Sequence, residues 1–318
     1  MFSTNRFCTV IDVGCRYGIH PTWRKLKAIK YFGVDFDAEE IDRLKHKYKN
    51  NNNYKFFCSV ISDEEKETKT YVMKHKGLSS LHKPNYDSFW FAERKDQGEI
   101  ISEQITHTIT LDKFCKDNKI STDFLKCDTE GHDYYVLSGA KNQLKSSILG
   151  IRCEVDFEET YSGEKLFTDI HSFFLTYNYF LLNLDYNGCG EPQSYFGQDR
   201  YGVLSGTDAC YVKNFDLILA DKNKLYDNVI KTSLFLFCNN ASDVAINLIN
   251  EAIEAGLEIP LHPSEILKDL EYEFLHQSYN LSNLPGDNFD KAKIDYMRYF
   301  GKNYPKFHEF YQSTYLNP

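Results

Sequence analysis

Two groups of acids in this sequence have the types and spacing to do chemistry. In "IDVGCRYGIH", residues 11–20, Asp12 precedes Gly14 and Gly18 at the end of an apolar run, and a second acid, Asp35, closes the apolar "YFGVDF". A glycine turn between strand and helix brings bare backbone amides to the helix N-terminus, where they bind a carboxylate or phosphate. An acid ending the next strand can accept both hydroxyls of a ribose. The pair suits a nucleoside cofactor, either a sulfonium or a nicotinamide. Further along, "DTEGHD" supplies Asp128, Glu130 and His132, and Glu154 and Asp156 close the next apolar run. Such a group steers a cation, takes the proton of an acceptor or holds a divalent metal, and an imidazole has the intrinsic pKa for proton transfer near neutrality. Spacing alone defines no octahedral Mg²⁺ geometry, so no metal ligand is assigned.

The elements that must position these residues alternate. "FCTVIDV" (7–13) reads as a buried strand and "PTWRKLKAIK" (21–30) as a helix whose basic residues form a solvated face. "YFGVDF" is a second strand, and "DAEEIDRLKHKYK" a helix capped by Asp37, with Glu40 returning the bond as a capping box. "YKFFCSVI" (54–61) is a third strand. From 62 to 108 the periodicity weakens, and a segment of this length is either an excursion over the active face or an irregular surface stretch. "DFLKCDTEG", "ILGIRCEVDF", "YFLLNLD" and "DACYVKN" continue as strands, with helices over "LDKFCKDN", "HDYYVLSGAKNQL" and "EKLFTDIHSFFLTY" between them. This order predicts an α/β fold with a largely parallel sheet, helices on both faces and ligands at the carboxyl ends of the strands, where Asp12, Asp35, Asp128 and Glu154 all fall. After Asn214 the pattern turns to amphipathic helices, with Val244, Leu248, Ile249 and Ala252 on one stripe. The predicted division is residues 1–214 and a helical extension over 215–318, which caps the catalytic face, forms a homodimer surface or completes the core.

Composition narrows the partners. Lys+Arg number 37 against 46 Asp+Glu, a net charge of -9, which removes the electrostatic case for nucleic acid or an anionic membrane. Nine cysteines form no close pair of the kind that grips zinc. With no secretory signal pattern and no apolar run of membrane-spanning length, the expectation is a reduced, cytoplasmic protein without a transmembrane segment. The glycine motif is neither G-x-G-x-x-G, since Cys15 and Arg16 follow Gly14, nor a P-loop.

Taken in order, "VIDVGCRYG", "GVDFD", "SSL" (79–81), "TLDKF", "FLKCDTEGHDYYVLSGA" and "RCEVDFEETYSGEKLF" resemble the FkbM family of S-adenosylmethionine-dependent methyltransferases over roughly residues 7–213, with Lys-x-Asp-x-Glu-Gly followed by V-L-x-G-A the most specific part. The resemblance implies a class I methyltransferase, Rossmann-like fold that moves the methyl of S-adenosylmethionine, commonly to a hydroxyl of a sugar or other natural product, as in polysaccharide biosynthesis. It assigns Asp12, Gly14, Arg16 and Gly18 to the cofactor loop, Asp35 to the ribose and Ser59 to the region of the adenine. Asp35-Phe36 stands where many relatives have Glu-Pro, and Arg16-Tyr17 replaces a commoner Asn-containing turn. On this basis Asp128 faces the reacting centre, Glu130 or His132 is the base, and Glu154 holds an acceptor hydroxyl. Trp90, Tyr161 and Tyr17 are candidates for stacking on a sugar or shielding the donor, although packing accounts for most aromatics. The competing readings are N-methylation of an amino-sugar or small metabolite and a catalytically silent nucleoside-binding or assembly protein.

Overall fold

The computed structural model describes residues 8–185 and 204–257, apart from positions 25, 27 and 93. They fall into two compact units, one built from 8–24 and 29–213 and the other including the helices from Asn214 onward.

The larger unit carries a seven-stranded sheet: β1 (Cys8–Val13), β2 (Ile29–Asp35), β3 (Tyr54–Cys58), β7 (Phe124–Cys127), β8 (Gly150–Asp156), β9 (Tyr179–Asp185) and β10 (Gly206–Lys213). Their order is β3-β2-β1-β7-β8-β10-β9. The first five run parallel, and β10 pairs antiparallel with β8 and β9. This is the mostly parallel, class I methyltransferase-like sheet the sequence predicts. One face carries Ile11, Val13, Leu125, Cys127, Ile151 and Cys153 into the apolar core. Helices cover it: α4 (Leu111–Asn118) through Phe114, α5 (Asp133–Ser138) through Val136 and Leu137, and α7 (Phe167–Thr176) through Phe174. The opposite face is charged at its centre, because the register sets Asp12 beside Lys126 and Lys126 beside Arg152.

Several boundaries differ from expectation. The helix expected over 21–30 is one turn, α1 (Pro21–Arg24), and β2 already begins at Ile29, paired with Cys8, because Ile29 and Tyr31 are buried as strand residues. Its Trp23 is buried and stacks on Phe124 with ring centroids 5.9 Å apart, so the turn is an anchor as well as a polar surface. In α2 (Ala38–Lys47), Asp37 caps as expected, accepting from the amides of Glu39 and Glu40. Glu40 does not close the capping box; it accepts from the Tyr17 amide at 3.0 Å and pairs with Arg43. The helix expected over 132–144 breaks into α5 and α6 (Lys141–Ser146) at Gly139, where a Cβ would stand 2.0 Å from the Ser62 carbonyl.

The segment over 62–108 is ordered, which corrects its reading as irregular. β4 (Val60–Ser62), β5 (Glu67–Met73) and β6 (Ile100–Thr110) form a second sheet in the order β4-β6-β5. Its connection carries a 3₁₀ turn at Lys76–Leu78 and α3 (Phe89–Ala92). A small apolar cluster of Met73, Leu78, Phe91 and Tyr161 ties this arm down. Weak periodicity here reflects an arm wet on both faces over much of its length: residues 101–105 of β6 are all exposed, so no alternation of apolar and polar positions is imposed.

In the smaller unit, α8 (Phe215–Ala220) is capped by Asn214, and α9 (Leu225–Cys238) packs on α10 (Ser242–Glu254), burying Leu248, Ile249 and Ala252 while Val244 is half-buried. The part of the expected helical extension from residue 258 onward lies outside the described residues. Among the described residues no helix is long and apolar enough to cross a membrane.

Candidate active site

The first loop is built for close approach. Gly14 adopts φ +81°, and a Cβ there would stand 1.8 Å from the Asp128 carbonyl oxygen, so the loop after β1 lies directly on the loop after β7. The Gly14 and Cys15 amides donate to the Val34 carbonyl at 2.9 and 3.2 Å, tying the same loop to β2. Three strand ends thus meet at one cleft of about 770 Å³. Gly14, Arg16, Asp35 and Ser59 line one part of it, Asp128, Glu130 and His132 another, and Lys76, Gly77, Ser79, Ser80 and Leu81 of the arm border it. The arm therefore borders the cleft. Lys76 links it to the N-terminus of α2 through ion pairs to Glu39 at 2.8 Å and Asp37 at 3.4 Å.

Asp35 is 7% exposed, and its Oδ1 accepts from the Asp37 amide at 2.9 Å. Burial raises its pKa to about 6, against the lowering by that amide and by Arg16. A desolvated carboxylate on the cleft wall, with Oδ2 left to a ligand, fits the ribose diol of an adenosyl group. Arg16 pairs with Asp37 at 3.0 Å, and the Ser59 amide donates to the Asp35 carbonyl at 3.0 Å, which holds the turn beside the pocket. Gly18, at φ +95°, turns the loop toward Tyr48 and Leu44 and does not line the cleft.

Asp12 does not reach the cleft either, contrary to its place among the expected cofactor contacts. It is 1% exposed, accepts from the Tyr31 hydroxyl at 2.8 Å and lies 3.6 Å from Lys126 Nζ. Strand alternation is the reason: Asp12 points to the charged sheet face, below the glycine turn it precedes. Lys126, 3% exposed, bridges Asp12 to Asp128 Oδ2 at 3.1 Å. Sequence reasoning missed it as a site residue, although its position two before Asp128 on one strand was the available signal.

Glu130 sits at φ +55°, with its carbonyl accepting from Ser80 Oγ at 2.6 Å and its Oε2 from the Tyr161 hydroxyl at 2.6 Å. Burial, then the charge of Asp128, raises its pKa to about 8. Tyr161 is buried and edge-on to Phe91 at 5.2 Å, so it supports Glu130 and offers no stacking surface. Trp90 lies off the cleft, with the Arg94 guanidinium 3.9 Å above its ring; Tyr17 is exposed on the lining. Glu154 does not line the cleft but approaches from β8 beneath it, and one oxygen from each of Asp128, Glu130 and Glu154 lies within 4.8 Å of the others. Burial, followed by Glu130 and Asp128, raises the pKa of Glu154 well above the usual carboxylate value.

His132 is neither a solvent-facing decoration nor a base poised near neutrality. It is 7% exposed, with Nε2 3.0 Å from Ser62 Oγ and Nδ1 3.0 Å from His82 Nε2. Burial and then His82 lower its pKa to about 3, so the ring is neutral and committed to neighbours. His82 gave no sequence signal, because it arrives from the arm.

Residues 12–181 match the family model described as Methyltransferase FkbM domain. No curated protein matches the chain. Among solved structures, the FkbM methyltransferase of Methylobacillus flagellatus KT is 11% identical with a TM-score of 0.38, covering 65% of this chain and 43% of that one. The magnesium protoporphyrin IX methyltransferase of Synechocystis PCC 6803, with bound S-adenosylmethionine, is 10% identical at a TM-score of 0.34, covering 65% and 71%. A putative S-adenosylmethionine-dependent methyltransferase from Listeria monocytogenes is 10% identical at 0.37, covering 65% and 90%.

Proposed function

The chain belongs to the FkbM methyltransferase family, and from that premise we propose that this S-adenosylmethionine-dependent enzyme methylates a sugar hydroxyl on a glycan, sugar-nucleotide or related natural product. The observation that carries the acceptor class is the acidic end of the cleft, where Asp128 and Glu130 line the wall and Glu154 lies beneath. A hydroxyl needs a base as its oxygen becomes bonded to carbon, and carboxylates are also the groups that hold sugar hydroxyls.

The cofactor supplies an activated methyl on a sulfonium, so the protein's work is alignment and exclusion of water. Asp35 holds the ribose, with Ser59 beside it after β3 and Arg16 on the loop after β1. Asp128, paired with Lys126 at 3.1 Å, faces the reacting centre. Glu130 takes the acceptor proton, positioned by Tyr161. His132 is a support for this loop rather than the base. Residues 1–214 form the methyltransferase domain and 215–318 a helical extension, in a protein that works in the reducing cytoplasm.

The test is incubation with S-adenosylmethionine and a panel of sugar-nucleotides and surface-glycan fragments, read by mass spectrometry for gain of one methyl and for S-adenosylhomocysteine. Methyl gain confined to amines, or no product with hydroxyl acceptors, would overturn the acceptor assignment.

A further inference from the structure

We propose that Asp128, Glu130 and Glu154 form a site for one hard divalent cation, such as Mg²⁺ or Mn²⁺, at the acidic end of the cleft. The inference rests on the acceptor reading above and names what would hold the acceptor hydroxyl there. Each residue offers one carboxylate oxygen, and the three lie within 4.8 Å of one another. An ion placed among three oxygens so spaced sits at most about 2.8 Å from each, against roughly 2.0–2.6 Å for hard-cation bonds to oxygen, so side-chain adjustment of a few tenths of an ångström closes the shell.

A second observation points the same way. Glu154 Oε2 is sealed from solvent and has no hydrogen-bond partner, and Asp133, 3% exposed, carries an Oδ1 that is also sealed and unpartnered. The charge of Asp133 acts on both Glu130 and Glu154. Buried carboxylate oxygens without partners are costly, and acids gathered this closely repel unless a cation or shared protons compensate them. Lys126 does not meet the need at Glu154: it is engaged with Asp128 and Asp12. All three proposed ligands are oxygens, which selects a hard ion over zinc or copper. Three protein ligands leave open coordination positions, and Asp128, with 41% of its side chain exposed, turns the site toward the cleft. Water or neighbouring hydroxyls of a sugar fit those positions, and a hydroxyl bound to such an ion is polarised for deprotonation.

Titration of the full chain with MnCl₂ alone, followed by loss of the free-ion paramagnetic resonance signal, tests this. One saturable site per chain, displaced by Mg²⁺ and weakened roughly tenfold or more in both Glu154→Gln and Asp128→Asn, is expected. Asp42→Asn, on the exposed face of α2, should bind as wild type. Absence of saturable binding, or binding unchanged in both variants, overturns the site. Circular dichroism melts of the same samples identify a variant that has not folded, and Asp128, the most exposed ligand, is the safer one. Calorimetric binding of S-adenosylmethionine separates the two readings: donor binding without Mn²⁺ binding removes the ion alone, whereas Mn²⁺ binding without donor binding removes the donor assignment and leaves the ion site standing.

Discussion

Asp35 carries opposing demands. Burial raises its carboxyl from 3.8 to about 6, so the folded chain keeps a proton that the unfolded chain has released. The sign follows: its contribution to stability is greatest below pH 3.8 and declines as pH rises through about 6. Asp35→Asn, which retains an acceptor for the Asp37 amide, should therefore be more stable than wild type at pH 7.5 by about 1–3 kcal/mol and equal to it near pH 3.5. Chemical denaturation at both pH values checks this, and a loss of stability at both would refute it. Donor affinity should fall about tenfold or more in Asp35→Ala, and in wild type it should weaken as pH drops through about 6, because a protonated carboxyl accepts poorly from two hydroxyls. Lys126 presents the reverse case. Removing its charge in Lys126→Met leaves Asp12 and Asp128 without their buried partner, at a cost of about 3–5 kcal/mol, and adding Asp12→Asn should recover part of it. Urea denaturation of the single and double variants measures that coupling.

At the level of elements, loops with no room for a side chain hold the strand ends together. Gly14→Ala would drive a methyl into the Asp128 carbonyl from a left-handed backbone, and Gly139→Ala, from an ordinary right-handed backbone, would drive one into the Ser62 carbonyl. Both should cost more than about 3 kcal/mol or prevent folding. Gly163 has the same sign of φ, +79°, but nothing within 4 Å, so Gly163→Ala should cost only about 1–2 kcal/mol. Thermal melts of the three variants decide whether close approach or backbone conformation dominates; equal losses would show that packing of the loops contributes nothing. The arm from β4 to β6 matters for the same geometric reason. It delivers Ser80 to the Glu130 carbonyl and His82 to His132, so the conformation of the loop after β7 depends on a segment far from it in the chain.

At the scale of the whole molecule, the cleft is assembled from loops after β1, β2, β3 and β7 together with the arm. A ligand that binds only this assembled state stabilises it by mass action, by about 2.7 kcal/mol at one hundred times its dissociation constant. S-adenosylmethionine should accordingly raise the melting temperature of wild type and, at the same concentration, raise that of Asp35→Ala by no more than about half as much. An equal rise in both proteins would place the donor elsewhere.

The order of strands and helices and the positions of Asp35, Asp128 and Glu130 at strand ends were legible from the chain alone, because hydrophobic periodicity and turn chemistry act over a few residues, and the family was legible through the resemblance of its ordered motifs. The arm over 62–108 was not, since β6 is exposed on both faces over residues 101–105 and its pairing partner β5 lies some thirty residues away. Nor could spacing show that Asp12 points beneath the cleft, that His132 is sealed between Ser62 and His82, or that Glu154 closes on Asp128 and Glu130. Those outcomes depend on burial and on distances between groups brought together from different strands and from the arm, and desolvation and charge coupling are properties of that assembled neighbourhood rather than of any residue type.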